Sequence, residues 1–494
     1  MHGPNFTRPS RKLLGQFLYP LQDTRQIGYT PCMIPNTSPW IAQLNRTREA
    51  VPLSEDKSVD TAIVGGGIAG AVSAYFTLKD TNQSVVVLEA DMVAHGATGH
   101  NAGQITSYFE RPFESIVQEF GLELAVEGQR SIESAWGLLD EIVAETGLKT
   151  PVYRFTGYAG CSELEQIVEH LEENKDRFQG GLTPETILIA KESGWEEVLP
   201  LFYKDLYKVV PQEDLLALLE TEDPRYMAVI SSQKGCMNSA LFTEELLGHL
   251  LSKYPGRFSL FEESPVSKVR LSEDRAELIV GAHTVEARRV VLCTNGFEQF
   301  HIENTAGCDI DTKFHHLVQG RIGYMAGYLE SLNASPVAIS YFPKGQPETG
   351  DPTGETYFYL TRRPHSDAMD EAKNLVCAGG PEQVLPNQAV YSRAEYCRED
   401  VRESLDEFLR STYRHYPDPG TEYAFCWHGL MGYTPGGLRR IGAEPANPVL
   451  LYNLGCNGVG ILPSIYGGKR IARILNGEKV EQSIFDPVDQ RCLV

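Results

Sequence analysis

The sequence has no run of about 18 apolar residues, so no segment predicts a helix that spans a membrane. It also has no Cys-x-x-Cys, because the ten cysteines stand singly, and this excludes the common zinc and redox spacings. Isolated thiols are typical of a reducing compartment, and the short apolar stretch at 13–20 lacks the cleavage pattern of a secretion signal. We therefore expect a cytoplasmic protein without a membrane span.

Basic residues are also scarce. The chain carries 44 Lys and Arg against 66 Asp and Glu, which gives a formal net charge of -22 over 494 residues. Such a surface repels phosphate backbones, so nucleic acid is not an expected partner. The oligomeric state leaves no signature in the sequence.

Metal-binding patterns are incomplete. Cys426-x-His428 matches half of a Rieske iron–sulfur motif, but the second half, Cys-x-x-His, is missing because Cys456 precedes Asn-Gly-Val. His315 and His316 are neighbours, and neighbouring side chains point apart in regular structure. We therefore predict no metal site.

Strand–helix units occur at both ends of the chain, and a β-rich stretch lies between them. This order predicts an α/β protein in which a discontinuous nucleotide-binding domain receives an inserted β-rich α+β substrate domain. The predicted boundaries are 1–55 for an N-terminal arm packed on a domain surface, 56–155, 226–300 and 421–494 for the nucleotide-binding domain, and 156–225 and 301–420 for the substrate domain.

A glycine turn follows the first predicted strand, 59–64. Gly65 permits the tight turn, Gly67 lets a pyrophosphate approach the backbone, and Gly70 allows the following helix to pack closely. Glu89 ends the next strand, where a carboxylate accepts hydrogen bonds from an adenosine ribose. The pattern predicts a dinucleotide, NAD or FAD. The predicted contacts with it are Gly65, Gly67, Ile68, Ala69, Gly70, Glu89 and Ala90.

A loop of small residues, 96–104, comes next in the sequence. Small residues let a chain run beside a flat ring system and offer it backbone N–H groups. A plain NAD enzyme does not need such a loop, so the loop favours FAD, although an ordinary glycine-rich connection is the alternative. The predicted flavin contacts are Gly96, Ala97, Thr98, His100, Asn101, Ala102, Gly103 and Gln104.

The chain resembles the FAD-dependent oxidoreductases of the D-amino-acid oxidase superfamily, especially the glycine, sarcosine and γ-glutamylputrescine oxidases. The resemblance spans about residues 38–476 and rests on the segments 96–104, 235–241, 291–296, 429–435 and 455–460 in the correct order. It implies a Rossmann-like FAD-binding domain of the GR2 type, bound FAD, and hydride transfer to the flavin. The further FAD contacts that it implies are Val266, Thr294, Gly296, Gly432, Gly455, Asn457, Gly458 and Gly460.

Three positions depart from the family pattern. His100 stands where the oxidases usually have Arg, in a segment similar to one whose His holds the flavin covalently in dimethylglycine and sarcosine dehydrogenases. This raises the hypothesis of a covalent histidyl-FAD at His100, against a His that only hydrogen-bonds near the flavin. Met431 replaces the Cys that attaches the flavin in monomeric sarcosine oxidases, which excludes that linkage. Gly436 replaces the Asp of the family's Thr-Pro-Asp-Gly, so contacts at the flavin edge are in doubt.

Candidate substrate residues lie in the β-rich middle region. Tyr357, Tyr359 and Arg362 belong to one predicted strand, whose alternation puts the two tyrosines on one face. An aromatic wall suits an amine through cation–π contact, but sheet tyrosines that pack on a helix give the same pattern. Arg321 is a candidate for binding a carboxylate.

We therefore expect an FAD-dependent oxidoreductase that oxidises the C–N bond of a small-molecule amine or amino acid. Two alternatives stay open. One is an FAD-dependent 2-hydroxyacid oxidase, since the same superfamily oxidises C–O bonds. The other is a flavin-binding protein without turnover.

Overall fold

A computed structural model describes residues 35–44, 46–297, 300–315, 318–331, 334–342, 357–366, 372–385, 391–416 and 422–487. Residues 1–34 of the predicted arm lie outside the described residues. The rest of that arm packs closely, since Trp40 is fully buried and the Thr37 N–H donates to the Cys426 carbonyl over 3.2 Å. None of the helices in the described ranges is both long and apolar enough to cross a membrane.

The strands of the described residues are numbered in chain order. They are β1 Lys57–Val64, β2 Val85–Leu88, β3 Gln104–Thr106, β4 Tyr153–Cys161, β5 Thr186–Ala190, β6 Tyr207–Val210, β7 Ala228–Cys236, β8 Phe258–Phe261, β9 Val266–Leu271, β10 Ala276–Val280, β11 His283–Leu292, β12 His301–Asn304, β13 Gln319–Ser331, β14 Val337–Phe342, β15 Phe358–Ser366, β16 Ala372–Val384, β17 Phe425–Tyr433, β18 Arg440–Ala443 and β19 Leu450–Leu454.

The α-helices of the described residues are numbered in the same way. They are α1 Pro39–Ala42, α2 Ile68–Asp80, α3 Phe113–Phe120, α4 Leu122–Thr146, α5 Leu164–Gln179, α6 Gln212–Leu218, α7 Ser239–Lys253, α8 Asp311–His315, α9 Glu399–Thr412 and α10 Ile461–Leu475.

The first sheet has a parallel centre. β1 lies between β2 and β11 and is parallel to both, β8 extends the sheet beyond β2, and β19 pairs with the end of β11. β2 is buried at all four positions, as expected for a central strand that helices cover. The carboxyl ends of parallel strands meet at one edge of a sheet, where nucleotides bind in such folds. This places the turns after β1, β2, β11 and β19 together.

The second sheet is mostly antiparallel, with the strand order β17-β13-β16-β15-β14-β4-β7-β5-β6, and β3 pairs with β7. β3 continues the 96–104 loop into this sheet, so the two sheets meet at that loop. The predicted fold class is confirmed: the chain has a Rossmann-like α/β domain and a β-rich α+β domain.

Four strands lie on the other side of the predicted domain boundaries, among them β3, which lies inside 56–155 and pairs with β7 of the second sheet. β7 and β17, inside the ranges 226–300 and 421–494, pair within the second sheet, whereas β12, inside 301–420, pairs with β9 of the first. Hydrophobic alternation identifies a strand but not its partner. Their pairing therefore could not be predicted from local pattern.

Candidate active site

The glycine turn after β1 has the geometry that its residues require. Gly65 has φ +107°, and a Cβ there would lie 2.8 Å from the Cys293 carbonyl oxygen. A Cβ on Gly70 would overlap the Gly65 carbonyl oxygen. Gly67 precedes Ile68, the first residue of α2. Side chains are therefore excluded from this turn, and the start of α2 is left open to a phosphate.

Glu89 lies directly behind the turn. Its carboxylate accepts hydrogen bonds from the N–H groups of Gly66, over 2.7 Å, and Asp91, over 3.0 Å. Burial raises the pKa of this carboxyl group, and the two N–H donors oppose that shift. The side chain thus also braces the turn, and its remaining lone pairs can accept bonds from a ribose.

Helix α1 packs against the 96–104 loop and holds it in place. Trp40 donates from its indole N–H to the Asn101 carbonyl over 2.5 Å, and its ring lies 2.6 Å from where a Cβ on Gly103 would be. The Asn101 amide donates to the Thr98 carbonyl over 2.9 Å and accepts the Gly103 N–H over 2.7 Å. Residues of the predicted arm therefore shape this loop, a role that the sequence did not reveal.

His100 is held in one tautomer. Its Nδ1 lies 3.1 Å from the Gly96 carbonyl oxygen, and because a carbonyl only accepts, Nδ1 carries the proton and Nε2 the lone pair. Burial lowers the pKa of this imidazole to about 4, since charge is costly away from water. His100 is therefore neutral at physiological pH, with one basic nitrogen.

A cavity of about 530 Å³ connects the turn, the loop and the second sheet. Predicted contacts from the glycine turn, from the 96–104 loop and from later parts of the chain, including the C-terminal loops, line this cavity. These are Gly65, Gly67, Ile68, Ala69, Glu89, Ala90, Gly96, Ala97, Thr98, His100, Asn101, Ala102, Gln104, Val266, Thr294, Gly458 and Gly460.

Six predicted contacts do not line this cavity: Gly70, Gly103, Gly296, Gly432, Gly455 and Asn457. They shape the loops that do. The Asn457 amide oxygen accepts the Thr434 N–H over 2.8 Å, and the Asn457 N–H donates to the Gly432 carbonyl over 2.9 Å. These bonds tie the two C-terminal loops together.

The cavity offers unused donors that fit an anionic dinucleotide. In the part of the chain that the structure describes, the buried hydroxyl of Thr294 and the amide nitrogen of Asn295 have no hydrogen-bond partner, and both residues line the cavity. Arg439, also lining it, bonds to the Asn453 side chain over 2.7 Å and forms no ion pair among those residues. Burial lowers the pKa of Arg439 to about 10, so it stays charged.

The cavity continues to the second sheet, where Tyr357 and Tyr359 line it as predicted candidates. Their ring centroids are 5.7 Å apart, and Tyr359 lies over Gly379 of the paired strand β16. Gln104 donates to the Thr361 hydroxyl over 2.6 Å and so links the loop to β15. The hydrogen bond therefore ties the loop to the strand that carries Tyr359.

Glu110 is a carboxylate in the part of the cavity next to the second sheet. It accepts a hydrogen bond from the Tyr433 hydroxyl over 2.8 Å, and its side chain occupies the space beside Gly458. Burial and the nearby Glu382 raise the pKa of Glu110 to about 8, and the Tyr433 hydroxyl opposes the shift. Glu110 therefore titrates close to physiological pH.

Arg321 lies beside the cavity and is engaged there. Its guanidinium is 3.6 Å from the Glu382 carboxylate and 4.3 Å from the Tyr433 ring centroid. Arg321 thus balances the charge of Glu382, which lines the cavity. Its predicted carboxylate-binding role has a competing partner.

The structure does not support the prediction that Arg362 is a substrate-pocket residue. It forms an ion pair with Glu220 at 2.5 Å and also donates to the Tyr413 hydroxyl over 2.6 Å. Residues three apart on a strand face opposite sides, so Arg362 points away from the Tyr359 face. It is absent from the residues that line the cavity and belongs to the packing between β15 and the segment around Tyr413.

Four residues of the site were missed. Tyr108, Glu110 and Glu382 line the cavity, and Lys234 places its ammonium 3.5 Å from the Ser340 hydroxyl, which also lines it. Burial lowers the pKa of Lys234 to about 8. Glu110 lies in an irregular segment with no periodicity, but a lysine inside the strand 228–236 was a usable signal.

A family model and a solved structure each match most of this chain. A family model described as DAO, FAD dependent oxidoreductase, matches residues 60–474. Glycine oxidase from Geobacillus kaustophilus has the same fold, with a TM-score of 0.60 at 17% identity over 87% of this chain and 98% of that chain.

Two curated relatives match parts of the chain. A putative Rieske 2Fe-2S iron-sulfur protein, YhfW of Bacillus subtilis, is 21% identical over 294 residues, which is 58% of this chain and 50% of that protein. Gamma-glutamylputrescine oxidoreductase of Escherichia coli is 34% identical over 89 residues, 18% of this chain and 21% of that protein. The chain thus matches half or less of the length of these relatives.

The predicted superfamily is confirmed by the extent of the family match, which includes the glycine turn, the 96–104 loop and both C-terminal loops. With that match, the chain belongs to the DAO family of FAD-dependent oxidoreductases.

Proposed function

We propose that this oxidoreductase acts on the C–N bond of a small amine or amino acid. FAD, when bound, accepts the hydride that the substrate carbon loses. The observation that carries the proposal is Glu110, a carboxylate that lines the cavity next to Gly458 and bonds to Tyr433. It offers an ammonium group a charge partner and a proton acceptor.

The charges around Glu110 support a zwitterionic substrate. Arg321 and Glu382 balance each other, whereas Glu110 and Lys234 form no ion pair within the described ranges. In the region around Glu110, one acid and one base are therefore left for a ligand. An α-amino acid has the complementary ammonium and carboxylate, and a simple amine has only the first.

In the proposed reaction, Glu110 acts as the general base. A substrate ammonium must lose a proton before the adjacent carbon can release a hydride, and the Glu110 carboxylate takes that proton. The substrate becomes an iminium ion, which water hydrolyses. A carboxyl group whose pKa is raised to about 8 is a stronger base than an ordinary one.

A 2-hydroxy acid fits less well. Lys234 suits its carboxylate, but a neutral hydroxyl leaves Glu110 without a charged partner. A protein without turnover has no evident need for ionisable groups with shifted pKa values in this cavity.

We further propose that FAD is attached covalently through His100. The support is the neutral ring, whose Nδ1 proton is engaged with Gly96 and whose Nε2 keeps the lone pair that bond formation needs. His100 lines the cavity beside Ala97 and Thr98.

The substrate class is tested by anaerobic bleaching of the flavin with a matched set: glycine, its hydroxy analogue glycolate, and ethylamine, which lacks the carboxylate. The panel also includes N-methylated and longer homologues of these compounds. We expect amino acids or amines to bleach the flavin and hydroxy acids to leave it oxidised. Bleaching by hydroxy acids alone would replace the proposal, and bleaching by no compound would favour a protein without turnover.

A further inference from the structure

Three metal-ligating side chains converge outside the active site, where β12 meets α8. We propose that His301, Asp311 and His315 bind one divalent transition-metal ion, with zinc the best match. His301 begins β12, and Asp311 and His315 lie four residues apart on α8, so both project from one face of that helix. The site is independent of the proposed oxidation.

The ligand atoms already have suitable spacing. His301 Nδ1 and His315 Nε2 each lie 3.3 Å from an oxygen of the Asp311 carboxylate, and the atoms of all three residues fall within 4.8 Å of one another. Zinc at its usual bond lengths to nitrogen and oxygen separates tetrahedral ligands by about 3.3 Å. The arrangement therefore needs only small side-chain rotations to close on an ion.

The donor set selects the metal class. Two imidazoles and one carboxylate suit zinc, nickel or copper, whereas magnesium and calcium prefer oxygen ligands. Three protein ligands leave a fourth position for water. The His301 side chain is 78% exposed, which gives the ion access from solvent, and Asp311 is further oriented by the Ile302 N–H, which donates to it over 2.5 Å.

The proposed ion would brace one wall of the FAD cavity. His301 follows Phe300, which lines the cavity, and His315 follows Phe314. The rings of Phe300 and Phe314 are stacked with centroids 6.3 Å apart, and Phe314 stacks in turn on Tyr452 of β19. Joining the two histidines through a metal therefore fixes the position of Phe300.

The prediction of no metal site considered His315 only with its neighbour His316, which lies outside the described residues. The partner of His315 is instead His301, fourteen positions earlier in the sequence. No local spacing connects them, because the contact depends on how α8 packs against β12.

The test is calorimetric titration of the tag-free, FAD-loaded chain with ZnCl₂ alone. We expect one ion per chain, with the dissociation constant raised at least tenfold in His301→Ala, Asp311→Asn and His315→Ala. His283→Ala serves as the control, since His283 also faces a carboxylate, Asp56 at 3.8 Å, without a second histidine. Cys308→Ser controls for the exposed thiol of the same loop.

Three results would overturn the proposal: no stoichiometric zinc binding, binding that all three triad variants retain, or binding lost only in Cys308→Ser. As a second readout, in a His100→Asn background, whose flavin is expected to be dissociable, zinc should slow the release of FAD during dilution, and it should not do so when Asp311→Asn is added. If zinc binds through the triad but leaves FAD release unchanged, the bracing of Phe300 is refuted.

Discussion

The Tyr433 hydroxyl donates a 2.8 Å hydrogen bond to the Glu110 carboxylate, and the two residues come from opposite ends of the chain. Tyr433 ends β17 of the second sheet, and Glu110 follows β3, which continues the 96–104 loop. The bond therefore joins the end of β17 to the segment that follows β3. It also lowers the pKa of Glu110, against the larger effects of burial and Glu382, because a hydroxyl donor stabilises the carboxylate form.

Glu110→Gln should slow anaerobic flavin reduction by about 100-fold or more, because general base catalysis typically contributes that much. As a base, Glu110 must be deprotonated, so the wild-type rate should rise as the pH passes through about 8. The variant should lack this rise and keep only the titrations of the substrate amine and of Lys234, whose pKa burial lowers to about 8 and whose loss of charge weakens carboxylate binding. Stopped-flow reduction from pH 6 to 10 measures both. A rate within threefold of wild type with the rise intact would remove Glu110 as the base.

Tyr433→Phe should shift the same pH dependence in a known direction. The Tyr433 hydroxyl lowers the pKa of Glu110, so its loss should raise that pKa and move the rise to higher pH. At high pH the variant should approach the wild-type rate, which distinguishes tuning from a direct catalytic role. A rise that stays at the wild-type pH would show that the hydrogen bond does not set the basicity of Glu110.

The nucleotide half of the site was largely predictable from sequence. Gly65, Gly67 and Glu89 carry fixed physical requirements at fixed spacing, and a short βαβ unit places them by local rules. Most predicted contacts in 96–104 also line the cavity. Local geometry was sufficient because the strand, turn and helix are consecutive.

The proposed substrate half of the site was not predictable in the same way. Glu110 and Tyr433 are 323 residues apart, and their contact depends on how β3 and β17 join the second sheet. Arg362 failed as a candidate because sequence alone did not show that its face of β15 is covered by Glu220 and Tyr413. Long-range pairing, which periodicity does not encode, decides these positions.

Gly67→Val should abolish FAD retention. A branched side chain there lies at the start of α2, where the pyrophosphate is expected, and its Cβ would already be 2.9 Å from the Thr98 hydroxyl. Gly137→Val, in α4 with open space around its Cβ, is the matched control and should keep its flavin. Flavin absorbance per chain after gel filtration measures the outcome. A folded Gly67→Val protein with full flavin content would show that the pyrophosphate lies elsewhere.

His100→Asn should convert the flavin from covalently attached to dissociable, because it removes the Nε2 lone pair. Wild-type protein precipitated with acid should retain its flavin in the pellet and fluoresce as a band in a denaturing gel. His95→Asn, a nearby histidine whose Nδ1 bonds to the Val93 carbonyl over 2.8 Å, should behave like wild type. Wild-type flavin found wholly in the supernatant would refute the linkage.

Arg362→Gln should destabilise the chain and leave substrate recognition intact. Removing one partner of a largely buried ion pair leaves the Glu220 charge uncompensated, at a cost of about 3 kcal/mol. Glu220→Gln should cost a similar amount, and the double variant should lose less than the sum because the two residues interact directly. Urea unfolding measures the stability, and steady-state kinetics on the folded fraction should give an unchanged KM. An Arg362→Gln protein of normal stability whose KM rises tenfold would instead place Arg362 in the substrate site.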